Sequence, residues 1–223
     1  MNPAPRAILF DLDGTLLDTA PDMIGALNRL RVEEQLLPLP FDTARPSVSH
    51  GAARLLQIGF PKADPERLAV LHRRFLDAYR ERMSAETRLF EGMDTVLELL
   101  ERRGLKLGVV TNKPAWLTVP LLEELSLRDR FACVVSGDSL SERKPHPLPM
   151  LRAAELAGVA ADACLYVGDA ERDVQAAHAA GMTALVATYG YLHADENWRA
   201  WGGDGFIERP LDLIAWLEGG PQA

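Results

Sequence analysis

Short, unbroken apolar runs recur along the chain: Ala7-Ile8-Leu9-Phe10, Leu107-Gly108-Val109-Val110, Ala132-Cys133-Val134-Val135, Cys164-Leu165-Tyr166-Val167, and Thr183 to Val186. They lack the in–out alternation of a strand with one wet face, so they predict strands buried on both sides, as in a parallel sheet. Between them apolar positions follow helical spacing. Asp94 to Arg103 ends at Gly104 and Glu171 to Ala180 ends at Gly181, where a helix C-terminus favours a left-handed residue. Strand and helix in alternation predict an α/β fold with a Rossmann-like parallel core.

One interval breaks this rhythm. From Phe10 to Leu107 the chain runs far beyond the dozen or so residues that a crossover needs. The surplus reads as helical over Asp22 to Leu36, Gly51 to Ile58 and Pro65 to Met83, with Leu68, Leu71, Phe75 and Tyr79 on one face and Pro38, Pro40, Pro46 and Pro61 between segments. The expected organisation is a core of residues 1–17 and 91–223 carrying an inserted helical cap of residues 18–90, placed to fold over the sheet's C-terminal edge.

Composition narrows the class. The chain has 223 residues, 48% of them hydrophobic and 25% charged, enough for one large domain or a domain with an insert, and unlike a disordered or fibrous chain. A net charge of -8 argues against nucleic acid as a partner. No apolar run approaches the ~20 residues that cross a bilayer, and Met1 to Phe10 does not read as a signal peptide. Cys133 and Cys164 lie in apolar runs and read as reduced core residues. A cytoplasmic monomer or homodimer is the expectation, with an anionic small molecule still open as its ligand.

Ligands of an open parallel sheet bind beyond the carboxyl ends of its strands. The polar residues that follow the strands are Asp11-Leu12-Asp13-Gly14-Thr15, then Thr111-Asn112-Lys113-Pro114, and Gly168-Asp169 with Glu171 and Asp173 beyond; Lys144-Pro145 opens the helix before the fourth strand. Carboxylates, a hydroxyl and an ammonium would thus converge on one edge. Asp11 and Asp169 are hard oxygen ligands suited to Mg2+, which with Lys144 would offset a phosphate dianion. Crowded carboxylates raise one another's pKa, so Asp13 could carry a proton. Such a site suits phosphoryl transfer, where positioning and charge neutralisation supply most of the catalysis.

In order, Asp11-x-Asp13-Gly14-Thr15-Leu16, Thr111, Lys144 and Gly168-Asp169-x-x-x-Asp173 resemble the four motifs of the haloacid dehalogenase superfamily of phosphatases. Val110 to Pro114 and Thr188 to Tyr191 look like its phosphoglycolate phosphatase branch. The resemblance implies that the substrate is a small phosphorylated metabolite, that Asp11 is the nucleophile, forming an aspartyl-phosphate, and that Asp13 protonates the leaving alcohol and then activates water. It implies that Asp11, the Asp13 carbonyl and Asp169 hold Mg2+, while Thr111, Asn112 and Lys144 grip the phosphate. Asp173 would support the metal's water or Lys144. Asp18, Thr19 and Asp22 read as caps of the first cap helix, and Lys113 as solvated or at the entrance.

Two stretches are candidates for substrate selection. The loop Ser47 to Gly51, with Ser49, His50 and Gly51, would be lowered onto the leaving group, or Ser49 would only cap the next helix. Tyr189 to Trp201 resembles the branch that dephosphorylates N-acetylmuramic acid 6-phosphate, or else packs the C-terminal helix around Trp216. A sugar phosphomutase sharing the Asp pair is the rival activity, and a non-catalytic binding protein of the same fold is the rival from another class; the retained Asp11 and Asp169 argue against the latter.

Overall fold

The computed structural model describes residues 4–219. In chain order, β1 (Ala7–Phe10) and a short β2 (Leu17–Asp18) precede four helices, α1 (Ala20–Glu33), α2 (Phe41–Ala44), α3 (Gly51–Gly59) and α4 (Pro65–Arg80), with a 3-10 turn over Arg45–His50. β3 (Arg88–Leu89) ends this helical excursion by pairing antiparallel with β2, Leu17 opposite Leu89. Then follow α5 (Met93–Arg102), β4 (Lys106–Val110), α6 (Ala115–Glu124), β5 (Cys133–Val135), α7 (Leu148–Ala157), β6 (Cys164–Gly168), α8 (Glu171–Ala179), β7 (Thr183–Ala187), β8 (Gly205–Ile207) and α9 (Asp212–Leu217). Six strands form one parallel sheet in the order β5-β4-β1-β6-β7-β8. All five strands expected from apolar runs are present.

Strand alternation sorts the core into two faces. Ala7, Leu9, Tyr166 and Val186 meet the alanine-rich faces of α7 and α8, with Ala153, Ala154, Ala176 and Ala177. Ile8, Phe10, Val109, Val167 and Leu185 face the other way, with Val96, Leu100 and Leu117 of α5 and α6. That second core continues into the helical excursion through Leu27, Leu56, Leu71 and Phe75. α4 shows why these helices form: Asp64 accepts a hydrogen bond from the Arg67 N–H at 2.7 Å, Pro65 starts the helix, and the Leu71–Phe75–Tyr79 face is buried.

Asp22 does not cap α1. Its Oδ2 accepts bonds from the N–H groups of Glu86 and Thr87 and the Thr87 hydroxyl at 2.8–2.9 Å, tying the start of the excursion to its end. Thr19 stands at the N-cap position but makes no side-chain cap bond. Its hydroxyl donates instead to Asp13 Oδ1 at 2.7 Å.

Candidate active site

The sheet order reverses about β1: the chain proceeds outward to β4 and β5, then crosses to β6 on the other side. Such a switch point is where open α/β sheets bind ligands. Asp11 and Asp13 follow β1, Thr111 follows β4 and Asp169 follows β6, so the register of three parallel strands places them together.

Lys144 lies at the centre, its side chain fully buried. Its Nζ is 2.9 Å from Asp11 Oδ1 and 2.7 Å from Asp173 Oδ1, and it donates to the Val110 carbonyl and the Tyr166 hydroxyl at 2.9 and 2.8 Å. Asp173 therefore supports Lys144, one of the two roles open to it from sequence. Asp11 Oδ1 also accepts the Leu12 N–H at 2.7 Å; among the described residues no hydrogen bond holds its Oδ2. Asn112 is spent on the same framework: its Oδ1 accepts the Lys144 N–H at 3.0 Å and its Nδ2 donates to the Lys144 carbonyl at 2.9 Å. The side chain expected to grip phosphate thus also positions the lysine, with its second Nδ2 proton not engaged by any described residue and Asn112 lining the cavity. Thr111 Oγ1 accepts the Lys113 N–H at 3.1 Å, which leaves its own proton to donate.

Lys113 is neither solvated nor at the rim. Its buried Nζ donates to Asp13 Oδ1 at 2.8 Å and to the Tyr79 hydroxyl of α4 at 2.9 Å. Burial opposes its charge, but the Asp13 carboxylate and the Tyr79 oxygen outweigh that and raise its pKa, so it stays protonated. Burial pushes the Tyr79 hydroxyl up to about 12.

Asp169 accepts from the Tyr191 N–H at 3.0 Å and from the Ser49 hydroxyl at 2.5 Å, both on Oδ2. Burial, with Asp11 and Asp173 beside it, pushes its carboxyl up to about 7. Burial also raises Asp173, despite Lys144. The backbone must come very close here. A Cβ on Gly14, whose φ is +86°, would lie 2.1 Å from Asp169 Oδ2, and one on Gly190 would lie 2.4 Å from Asp169 Cβ. Ser49 does not cap α3, whose N-cap is His50; the 3-10 turn aims it at Asp169. Arg172 donates to the Ser49 carbonyl at 2.7 Å, holding that turn over the sheet edge. His50 is exposed at the end of the turn, yet its partial desolvation, with Arg172 nearby, lowers its pKa.

A cavity of about 650 Å³ opens above these groups. Asp11, Asp13, Thr111, Asn112, Lys144, Ser49, His50 and Gly51 all line it; Met23, Val48, Phe75 and Leu76 give it an apolar wall, and Arg143 and Arg172 are its arginines. Asp169 faces an adjoining cavity of about 220 Å³ with Ser49, Arg172 and Tyr191. Trp198 and Trp201 line neither. Trp198 packs edge-on against Phe206 of β8 at 4.9 Å, and both tryptophans border the α7–α8 side of the core, away from Trp216, which packs on the other side. The Tyr189–Tyr191 end of that stretch does reach the site: the Tyr191 hydroxyl donates to Asp18 at 2.7 Å and accepts the Ala20 N–H at 2.9 Å, bracing the chain where it leaves the core.

Sequence reading passed over Tyr79, Tyr166 and Arg172. Tyr166 carried a signal, since a hydroxyl within a strand buried on both faces must find a partner. Tyr79 and Arg172 showed none, because their partners are distant in sequence.

Carboxylate oxygens of Asp11, Asp169 and Asp173 lie within 4.8 Å of one another. This all-oxygen donor set, and the uncompensated charge that lifts Asp169, fit a hard divalent cation. Acids, an ammonium and a hydroxyl at the switch point of a parallel sheet define an α/β protein whose site is suited to an anionic ligand held with a cation. The comparisons give the family. A model of haloacid dehalogenase-like hydrolases matches residues 8–187. A phosphoglycolate phosphatase of Xanthomonas campestris pv. campestris is 44% identical over 209 residues, 94% of this chain and 95% of that protein. An N-acetylmuramic acid 6-phosphate phosphatase of Pseudomonas aeruginosa is 35% identical over 96% of this chain and 95% of its own. The crystal structure of a predicted phosphoglycolate phosphatase from Haemophilus somnus superposes with a TM-score of 0.85 at 28% identity, covering 96% of this chain and 98% of that one. The chain belongs to the haloacid dehalogenase-like hydrolases, and it is an enzyme of their phosphatase kind. No helix among the described residues is long and apolar enough to cross a membrane.

Proposed function

We propose that this chain is a Mg2+-dependent phosphomonoesterase that works through an aspartyl-phosphate on Asp11. The observation that carries the reading is Asp11 itself, with Oδ1 fixed by Lys144 and the Leu12 N–H and Oδ2 untied at the cavity floor. Asp11 Oδ2 attacks phosphorus as the bond to the leaving oxygen breaks, and Asp13 gives that oxygen its proton. Asp13 then takes a proton from the water that attacks the aspartyl-phosphate, releasing phosphate and restoring Asp11. Thr111 and Lys144 bind the phosphoryl oxygens, and Asp173 holds Lys144. Asp11, the Asp13 carbonyl and Asp169 would hold Mg2+, which supplies charge neutralisation at the phosphoryl oxygens. Residues 1–17 and 91–223 form the catalytic core in this reading, and residues 18–90 a cap that excludes water during phosphorylation.

The relatives' names supply the substrates, 2-phosphoglycolate and N-acetylmuramic acid 6-phosphate. Both carry a carboxylate as well as the phosphate, and Arg143, Arg172 and His50 line the same cavity. The cavity's volume lies within the ~300–1,000 Å³ of sites that enclose a whole small molecule, so the sugar acid fits it without the void a two-carbon acid would leave. The test is phosphate release from these two esters, glucose 6-phosphate and β-glucose 1-phosphate, with Mg2+ or chelator. Preferred, Mg2+-dependent hydrolysis of either acid is expected. Isomerised sugar phosphate with little free phosphate would instead establish a mutase.

A further inference from the structure

Lys113 is a second buried lysine, it lines the same cavity, and the proposed mechanism gives it no role. Two of its three donors are committed, to Asp13 Oδ1 at 2.8 Å and the Tyr79 hydroxyl at 2.9 Å. The same Asp13 oxygen accepts the Thr19 hydroxyl at 2.7 Å. Asp13 is therefore gripped through one oxygen by two donors, which fixes where its other oxygen can point. The three partners come from different places: Lys113 from the turn after β4, Thr19 from the start of α1, and Tyr79 from the last turn of α4. Tyr79 is itself immobilised, buried and stacked on Phe75 with ring centroids 6.3 Å apart. A buried ammonium stays only where its partners compensate it, so the position of Lys113 depends on α4 being seated against the core.

Resting on the reading of Asp13 as the acid and base, we propose that Lys113 is a positioning residue for proton transfer: with Thr19 it orients the Asp13 carboxyl group, and through Tyr79 it makes that orientation depend on the seating of α4. A lysine serving only phosphate or fold would treat all substrates alike. A positioning residue for the acid lowers kcat/KM, which reports transfer of the phosphoryl group to Asp11, only where the leaving group needs a proton; hydrolysis of the aspartyl-phosphate is common to all substrates.

The experiment compares kcat/KM for an alkyl phosphate, whose alkoxide needs a proton, and for p-nitrophenyl phosphate, whose phenolate does not, both with Mg2+. Asp13→Asn is the reference, expected to lose about 10²–10⁴-fold on the alkyl ester and under about tenfold on the aryl ester. Lys113→Met should show the same selectivity at smaller size, about 10–100-fold against less than about threefold. Tyr79→Phe, which keeps the ring and guards against misfolding of the lysine variant, should lose about 3–10-fold in kcat/KM on the alkyl ester alone. Equal losses on both esters in these two variants, or no loss, overturn the proposal. If Asp13→Asn itself shows no leaving-group dependence, the acid–base reading fails and this inference with it; selectivity in Asp13→Asn alone overturns the positioning role and leaves that reading standing.

Discussion

Raising the pH of the metal-free protein from 5 to 8 should strip a proton from Asp169 and cost stability. Its carboxyl is pushed up to about 7 in the folded chain, whereas an unfolded aspartate titrates near ~3.9. Between those values the native state binds a proton that the unfolded state has released, so stability falls as pH rises and levels off above the folded value. The slope is about 1.4 kcal/mol per pH unit at most, which integrates to about 2–3 kcal/mol between pH 5 and pH 8. For a chain of this size that is a fall in Tm of roughly 5–10 °C. Asp173, raised by burial, acts in the same direction. The assay is thermal unfolding followed by circular dichroism, in chelator and in Mg2+, for the wild type and Asp169→Asn. The asparagine variant should lose most of the slope and surpass the metal-free wild type at pH 8. Mg2+ should restore the wild type at pH 8, do little at pH 5 where protons compete for the carboxylates, and barely move the variant. Parallel pH curves for the two proteins in chelator would refute the claim that Asp169 carries uncompensated charge.

Asp11→Asn should lower phosphate release by about four orders of magnitude or more while leaving the fold intact, checked by phosphate assay beside circular dichroism. Lys144→Met leaves Asp11 and Asp173 buried without their cation and should cost about 3–5 kcal/mol, read as the denaturation midpoint in chelator. Tyr191→Phe removes the hydroxyl between Asp18 and Ala20 and should cost about 1–3 kcal/mol in the same assay. Trp201→Ala should destabilise by roughly 1–3 kcal/mol yet leave KM for the preferred substrate within about twofold, since the tryptophan borders the sheet core; a large rise in KM would return that segment to the substrate site.

Much of the catalytic layout was legible because of one rule: polar residues directly after buried parallel strands share an edge. Asp11, Asp13, Thr111 and Asp169 obey it, and the structure brings them together. The misreadings share a cause. Asp22 and Thr19 stand where capping residues stand, and a local pattern assigns them local partners, as it did in one of the two readings of Ser49. Their actual partners are Thr87, Asp13 and Asp169, up to 120 positions away in sequence. β2 and β3 went unseen because two-residue strands are too short to show a period, and β8 because Gly205-Phe206-Ile207, between Asp204 and Glu208, is a shorter apolar run than those that marked the other strands.

By itself, then, the chain's pattern determined which segments are strands and helices, where the helical excursion interrupts them, and which acids follow which strand. Those properties follow from near-neighbour periodicity and the burial of apolar runs. Side-chain direction was decided only by the tertiary structure. Lys113 turns inward to Asp13 because α4 presents Tyr79 there. Asn112 is tied to the Lys144 backbone because the two turns abut. Asp169 is lifted toward neutrality because the fold buries it and sets Asp11 and Asp173 beside it. Electrostatic coupling depends on distance and dielectric in three dimensions, and neither is written in sequence spacing.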